Sequence, residues 1–208
     1  MKAWIYTGGE LFPESITEHP KGDDLVIAAD AGLTNALALG VTPQLALGDF
    51  DSYDPSEIPD TVRTLRVPAE KDFTDTQLAV EQALRLGADE IVIVGGLGGR
   101  TDHALSNLSI LEELYELSVP AVMLNGRDRV RFLKSGSTLV PRSHYRYLSL
   151  VAVDERLRGV SIEGCRYPLK NETLTRKNQY AVSNEITENC ALVSIRKGGA
   201  FLIESTDR

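Results

Sequence analysis

Apolar and polar positions change rhythm once along the chain. Up to about residue 125, short apolar runs rich in β-branched residues alternate with longer segments of helical spacing, the pattern of an α/β unit on a largely parallel sheet. The runs predict strands at 3–6, 25–29, 45–47, 62–67, 91–94 and 121–124. Between them, Ala79, Ala83 and Leu86 repeat at i, i+4, i+7, while Ala104, Leu108, Leu111 and Tyr115 mark one face of a longer helix. Stop signals at Gly40, at Gly87 and before Pro120 end the helices.

From about residue 130 the helical period is lost, and short strand-like runs at 130–133, 146–153, 159–162, 179–182 and 191–195 are separated by turn residues. Lys197-Gly198-Gly199-Ala200 reads as a tight hairpin into a last strand at 201–203, since paired glycines tolerate positive φ. The expected organisation is an α/β domain over 1–128 followed by a smaller antiparallel β-sandwich or roll over 129–208. A β domain of that size is marginal alone, so it is expected to pack on the first domain or on a second subunit.

Composition narrows the function classes. The chain has 208 residues, 42% hydrophobic and 25% charged, an ordinary globular balance. Lys+Arg 22 against Asp+Glu 30 leaves a formal charge of −8, which argues against a general binder of nucleic acid or anionic membrane. No apolar run approaches the ~20 residues that span a bilayer, and the first residues lead straight into a strand, so a soluble cytoplasmic protein is expected. Cys165 and Cys190 lack a CxxC or Cys/His context, which leaves two thiols expected to pack as small hydrophobes.

The acids gather where chemistry is expected. In an open α/β sheet, ligands bind at the carboxyl ends of strands. Asp30 follows the second predicted strand, Gly48-Asp49-Phe50-Asp51-Ser52 the third, and Glu70-Lys71-Asp72-Phe73-Thr74-Asp75 the fourth. Gly95-Gly96-Leu97-Gly98-Gly99-Arg100-Thr101-Asp102-His103 follows the fifth. Two carboxylates ~4 Å apart repel by about 4 kcal/mol at an effective dielectric of 20, so such a cluster calls for a cation. Hard oxygen ligands favour Mg²⁺, which bridges one or two carboxylates to substrate phosphates. Asp49 and Asp51 at i, i+2, and Asp72 and Asp75 at i, i+3 around a helix start, can each aim a pair inward. Successive glycines can turn N–H groups toward an anion, and Arg100 could grip a phosphate in a bidentate fork. Walker A is absent, so the combination points to phosphoryl or nucleotidyl-type transfer from a Mg-nucleotide.

Structural readings stand beside these. Thr74 and Gln77 fit a capping box with Asp75 in the first helical turn, and Asp102 fits an N-cap. Asp30-Ala31-Gly32 fits a simple strand-to-helix turn, and His103 a hydrogen-bonding partner that holds its loop. Lys71 fits either a phosphate contact or a solvated charge.

At these residues the sequence resembles the thiamine pyrophosphokinase family, whose members transfer a pyrophosphoryl group from ATP to thiamine. Ala29-Asp30-Ala31-Gly32, Gly48-Asp49-Phe50-Asp51-Ser52, Asp72-Phe73-Thr74-Asp75 and the run from Gly95 to His103 occur in family order. Gly164-Cys165-Arg166-Tyr167-Pro168-Leu169 and Val182-Ser183-Asn184-Glu185 resemble its thiamine-binding segment. The resemblance implies an α/β catalytic domain, a β domain that binds thiamine, and a homodimer with sites between subunits. It implies that Asp49, Asp51, Asp72 and Asp75 hold Mg²⁺ and the triphosphate, with Asp102 close by as a further catalytic carboxylate. Asp30, Gly32, Lys71, Gly96, Gly98, Gly99 and Arg100 would bind ATP, and Tyr167, Ser183 and Asn184 thiamine. The thiamine hydroxyl would attack the β-phosphorus and release AMP, with Asp102 or Asp72 accepting the proton. Two departures stand out: Asp30-Ala31-Gly32 where the family often shows Asp-Gly-Gly, and Arg176-Lys177-Asn178-Gln179 where it commonly carries glycine. A Mg-dependent phosphohydrolase and a non-catalytic nucleotide or thiamine sensor are the competing classes.

Overall fold

In the computed structural model, residues 1–50, 58–67 and 72–207 are described. The chain forms two compact units, Met1–Gly126 and Arg127–Arg208.

The first unit carries six parallel strands, β1 (Lys2–Tyr6), β2 (Leu25–Ala29), β3 (Leu45–Gly48), β4 (Arg63–Arg66), β5 (Glu90–Val94) and β6 (Ala121–Leu124). Their order is β4-β3-β2-β1-β5-β6. Three helices, α1 (Gly32–Ala38), α2 (Asp75–Arg85) and α3 (Thr101–Glu116), pack on this sheet. Central strands covered on both faces need continuous apolar sequence, and β1, β2 and β5 are buried along four of their five residues. β4 is the edge and is exposed throughout, with arginines at both ends. Gly40 and Gly87 stand just past α1 and α2 at φ +70 and +90, where glycine relieves the left-handed exit.

The inward face of α3 is rotated from the expected one. Asn107, Ile110, Leu111 and Leu114 are buried, whereas Tyr115 is exposed and Ala104 and Leu108 are half-buried. The buried row starts with a polar residue, so a count of apolar positions selects the neighbouring stripe.

Because the chain runs outward from β1 to β4 and then returns to place β5 on the other side of β1, the strand order reverses between β1 and β5. That reversal opens a crevice beyond the carboxyl ends of these two strands, the ligand position of open α/β sheets.

The second unit is all-β: β7 (Asp128–Leu133), β8 (Gly136–Pro141), β9 (Tyr147–Ala152), β10 (Arg156–Glu163), β11 (Leu169–Thr175), β12 (Cys190–Ile195) and β13 (Ala200–Ser205). They run in two antiparallel sets, β7-β13-β9 and β11-β10-β12-β8. Leu148, Leu150 and Leu202 of the first set share one core with Val140, Leu157, Val160, Ile162, Leu174, Val193 and Ile195 of the second.

Four expectations change here. Lys197 to Ala200 is no hairpin: β12 pairs with β10 and β8, β13 with β7 and β9, so the paired glycines carry the chain from one set to the other. Gly199 is pinned there, its N–H donating to Asp154 Oδ2 at 3.0 Å. Residues 179–182 are irregular, because Gln179 spends its side-chain amide on both the N–H and the C=O of Ala152 (3.0 and 3.1 Å). β8 and β11 are strands that apolar alternation does not reveal, since both are edges with a single fully buried position each, Val140 and Leu174. Cys165 is buried as expected, but Cys190 is exposed, because in β12 the inward position falls on Ala191. Among the described residues, no helix is long and apolar enough to cross a membrane.

Candidate active site

A cleft of about 330 Å³ opens at the β1/β5 reversal. Its walls come from the loops after β1, β2 and β5 and from the first turns of α2 and α3. Of the expected residues, Asp30, Asp75, Gly96, Gly98, Gly99 and Arg100 line it together, with His103 beside them. Asp49, Asp72, Asp102 and Gly32 are close by in sequence but are not part of this wall. Asp51 and Lys71 lie outside the described residues.

Each side chain has a local reason for its position. Asp30 ends β2 in the left-handed region (φ 47), its N–H donating to Leu47 O at 2.7 Å and its C=O accepting from Leu33 N at 3.2 Å. Aspartate tolerates that conformation better than most side chains, and backbone strain of this kind concentrates at functional sites. Asp49 leaves β3 beside Phe50, which is itself left-handed (φ 56) and buried against Ala28, Leu33, Ala46 and Val62. Asp75 opens α2 behind a complete capping box: Thr74 Oγ accepts from Gln77 N (3.2 Å) and Gln77 Oε1 from Thr74 N (2.9 Å). The capping reading and a carboxylate in the cleft wall therefore hold at once.

The glycine loop is held from behind by Asn107, whose Nδ2 donates to Gly96 O at 3.0 Å. Among the described residues, no acceptor pairs with the N–H groups of Gly96, Gly98 and Gly99. Arg100, not Asp102, is the N-cap residue of α3. Its guanidinium fork is already engaged, Nε and Nη2 donating to Asp102 Oδ1 (3.2 Å) and Oδ2 (2.7 Å). Both side chains are exposed, so opening the pair toward another anion costs little.

That fork holds the Asp102 carboxyl below the usual carboxylate range, with the His103 N–H adding to the effect. The pair therefore favours the folded state above the ordinary aspartate pKa of about 3.9, and this contribution fades as pH falls through the depressed value. In a carboxyl-carbon NMR titration Asp102 is expected to titrate below its ordinary value in the native chain. In Arg100→Ala it should return upward; an unchanged midpoint would remove Arg100 as the cause.

Among the described residues, no three His, Cys, Asp or Glu side chains are grouped as a metal cage. The donor set of the cleft, Asp30 and Asp75, is of hard oxygens. It fits a Mg²⁺ that takes one or two carboxylates and completes its shell with substrate phosphates and water.

In the second unit, Tyr167 is exposed, with the Arg166 guanidinium carbon 5.6 Å from its ring centroid. Ser183 is exposed and left-handed (φ 56), its N–H donating to Ser149 Oγ at 2.9 Å. Asn184 is buried and pairs with Leu148 through both main-chain groups. Its Oδ1 accepts from the N–H of Tyr167 (2.9 Å) and of Glu185 (3.0 Å), and its Nδ2 donates to Tyr167 O (2.8 Å).

Comparison with known proteins settles what kind of chain has this geometry. The signature "Thiamin pyrophosphokinase, catalytic domain" matches residues 17–123, and "Thiamin pyrophosphokinase, vitamin B1 binding domain" matches 137–198. A thiamine pyrophosphokinase of Bacillus subtilis is 31% identical over 210 residues, covering 98% of each chain. The chain belongs to the thiamin pyrophosphokinase family. The crystal structure of thiamine pyrophosphokinase from Bacillus subtilis superposes with TM-score 0.90 at 28% identity over 100% of both chains. Thiamin pyrophosphokinase from Candida albicans, at 14% identity and TM-score 0.78 over 99% of this chain and 89% of its own, shares the fold.

In each unit one asparagine is bonded to the main chain around it. Asn184 stands in the Ser-Asn-Glu motif, yet its amide works as a short strand that fixes the main chain of Tyr167. Asn184→Ala leaves those groups without their partner and is expected to cost about 1–3 kcal/mol, read as a lower urea midpoint. An unchanged midpoint would show that the clamp contributes nothing. Asn107 was not legible as a site residue, because a polar position inside a helix gives no sign in the sequence that it faces inward.

Proposed function

We propose that this enzyme transfers the pyrophosphoryl group of ATP to the hydroxyl of thiamine, giving thiamine diphosphate and AMP. The observation that carries the proposal is the pairing, in one cleft at the strand-order reversal, of the Asp30 and Asp75 carboxylates with glycine N–H groups that have no acceptor among the described residues. Carboxylates alone would repel a triphosphate, and N–H groups alone would hold one without a cation. Together they suit a Mg-nucleotide.

Asp75 and Asp30 would hold Mg²⁺, with Asp49 and Asp72 and, outside the described residues, Asp51 as the further proposed carboxylates. Bound there, Mg²⁺ supplies charge neutralisation for the phosphate oxygens. The Gly96, Gly98 and Gly99 N–H groups bind phosphate oxygens, and Arg100 can exchange Asp102 for a phosphate at little cost. Lys71 and Gly32 complete the proposed ATP set; the buried Gly32 lets α1 begin directly against the end of β1.

In the reaction the thiamine oxygen bonds to the β-phosphorus as the bond from that phosphorus to the α–β bridging oxygen breaks, and AMP leaves with the electron pair. The hydroxyl proton goes to solvent or to a nearby carboxylate, Asp72 or Asp102, the latter released from the Arg100 fork once Arg100 turns to a phosphate. In a loose phosphoryl-transfer transition state, position and charge neutralisation outweigh that base. Tyr167 offers an exposed ring to the cationic thiazolium, a contact worth roughly 0.5–2 kcal/mol. Ser183 and Asn184 stand on the same segment, Asn184 acting mainly through Tyr167. A homodimer is part of the proposal; exposed Leu139, Tyr167, Tyr180 and Val182 give the second unit apolar surface to bury.

Incubation with Mg-ATP, with and without thiamine, followed by separation of products, tests the reading. AMP and thiamine diphosphate in equal amounts are the expected result. Thiamine-independent phosphate release would replace it with a hydrolase, and binding without product would replace it with a sensor.

A further inference from the structure

The cleft has a second glycine loop that none of the acidic or arginine motifs includes. Thr7-Gly8-Gly9 follows β1, on the other side of the strand-order reversal from Gly95 to Gly99, and all three residues line the cleft. Neither glycine is needed for an unusual φ; both are needed for space. A Cβ on Gly9 would lie 2.1 Å from Gly95 O and 2.7 Å from Leu97 O, and one on Gly8 would lie 2.7 Å from Ala31 Cβ. The two loops are also joined directly, Glu10 N donating to Leu97 O at 3.2 Å.

What orients this loop is Asn35 of α1. Its Nδ2 donates to Thr7 O at 2.6 Å and to Gly9 O at 3.0 Å. In a trans peptide the C=O and the following N–H point in opposite directions. Holding Thr7 O against α1 therefore turns the Gly8 N–H away from that helix. Among the described residues, the Gly8 and Gly9 N–H groups have no acceptor. Asn107 holds Gly96 O from α3, which by the same rule turns the Leu97 N–H away from that helix, in the middle of the facing loop. Two helix-borne asparagines thus anchor, from behind, two glycine loops that line one cleft and whose glycine N–H groups, among the described residues, have no acceptor.

We propose that Thr7-Gly8-Gly9 is the second half of a two-sided polyphosphate cradle, with Asn35 as its positioning residue. The chemical class of ligand is a Mg-bound linear polyphosphate, gripped on one side by the N–H groups of Gly8 and Gly9 and on the other by those of Gly96, Gly98 and Gly99. A polyphosphate spanning both loops engages more N–H groups than either loop offers, and such amide concavities are general anion sites. The inference rests on reading this cleft as the ATP phosphate site.

The test uses the full chain, ¹⁵N-labelled, titrated with inorganic tripolyphosphate and Mg²⁺. The amide resonances of Gly8 and Gly9 are expected to shift over the same concentration range as those of Gly96, Gly98 and Gly99. Shifts confined to residues 95–100, or none at all, would overturn the two-sided cradle, whether or not thiamine diphosphate is made in the product assay. Conversely, joint shifts in a chain that makes no thiamine diphosphate would leave the cradle standing and remove the proposed reaction. Asn35→Ala is expected to raise the KM for Mg-ATP about tenfold with the thiamine KM unchanged. Equal changes in both KM values, or none, would remove Asn35 as the positioning residue, and the wild-type titration decides the cradle independently of that variant.

Discussion

Asp75→Asn is expected to slow thiamine diphosphate formation by about 10²–10³-fold, the range found when one electrostatic group is removed from a preorganised site. Two roles for Asp75 compete, because it stands both at a helix start and in the cleft wall. As the first residue of α2 it is a negative charge at a helix N-terminus, worth about 0.3–1 kcal/mol. As part of the cleft wall it is one of the carboxylates facing the glycine loops. Asparagine preserves shape and removes charge, so the helix role alone predicts a melting temperature lower by only about 1–4 °C for a chain of this size, and normal turnover. Gln77→Ala is the matching control. It removes half of the capping box without touching Asp75 or the cleft wall, and is expected to cost up to about 1 kcal/mol with turnover retained. If Asp75→Asn behaved like Gln77→Ala, Asp75 would be a helix residue only, and the proposed cation site would lose its best-placed ligand. A further distinction is the Mg²⁺ dependence: with Asp75→Asn, the remaining activity should need more Mg²⁺ for half-saturation.

The α/β unit was largely legible, because strands buried on both faces must be continuously apolar and two of its three helices exit through glycine. β2 and β6 lie where the apolar runs placed them, and the carboxyl ends of β2 and β5 carry Asp30 and the glycine run as read. The rest of the site was hidden for a common reason. Thr7-Gly8-Gly9, Asn35 and Asn107 act through main-chain N–H groups or through hydrogen bonds to main-chain carbonyls. Such roles depend on where a peptide plane points, and no residue type announces that. Asn184 shows the converse: its motif stands out in the sequence, but only the distances to Tyr167 show that its amide is engaged with the chain itself. In the β unit, tertiary pairing decided between a hairpin and a crossover after β12, which two glycines allow equally.

Gly32→Ala is expected to lower stability sharply, although Gly32 is not itself part of the cleft wall. A Cβ at this position would lie 2.0 Å from Tyr6 O, 2.4 Å from Tyr6 C and 2.7 Å from Thr7 N, all main-chain atoms of the central strand or its exit. A flexible side chain could swing aside, but β1 cannot, because it is hydrogen-bonded to β2 and β5 and buried on both faces. The clash must be relieved by moving α1, and overpacking of that kind costs about 1–3 kcal/mol or more. At the upper figure, the melting temperature should fall by about 6–12 °C. The damage would not stop at stability. α1 carries Asn35, which holds Thr7 O and Gly9 O, and it begins two residues after Asp30, so a displaced α1 shifts both a carboxylate and a glycine loop of the cleft. Gly32→Ala should therefore also weaken Mg-ATP binding at temperatures where the chain is still folded. Ala31→Gly is the informative partner: it removes a methyl group one residue away, where the side chain is exposed and the backbone is already helical (φ −57), and should leave that binding close to normal. Equal loss of nucleotide binding in both variants would mean that the sensitivity lies in the turn after β2 generally and not in the contact between Gly32 and β1.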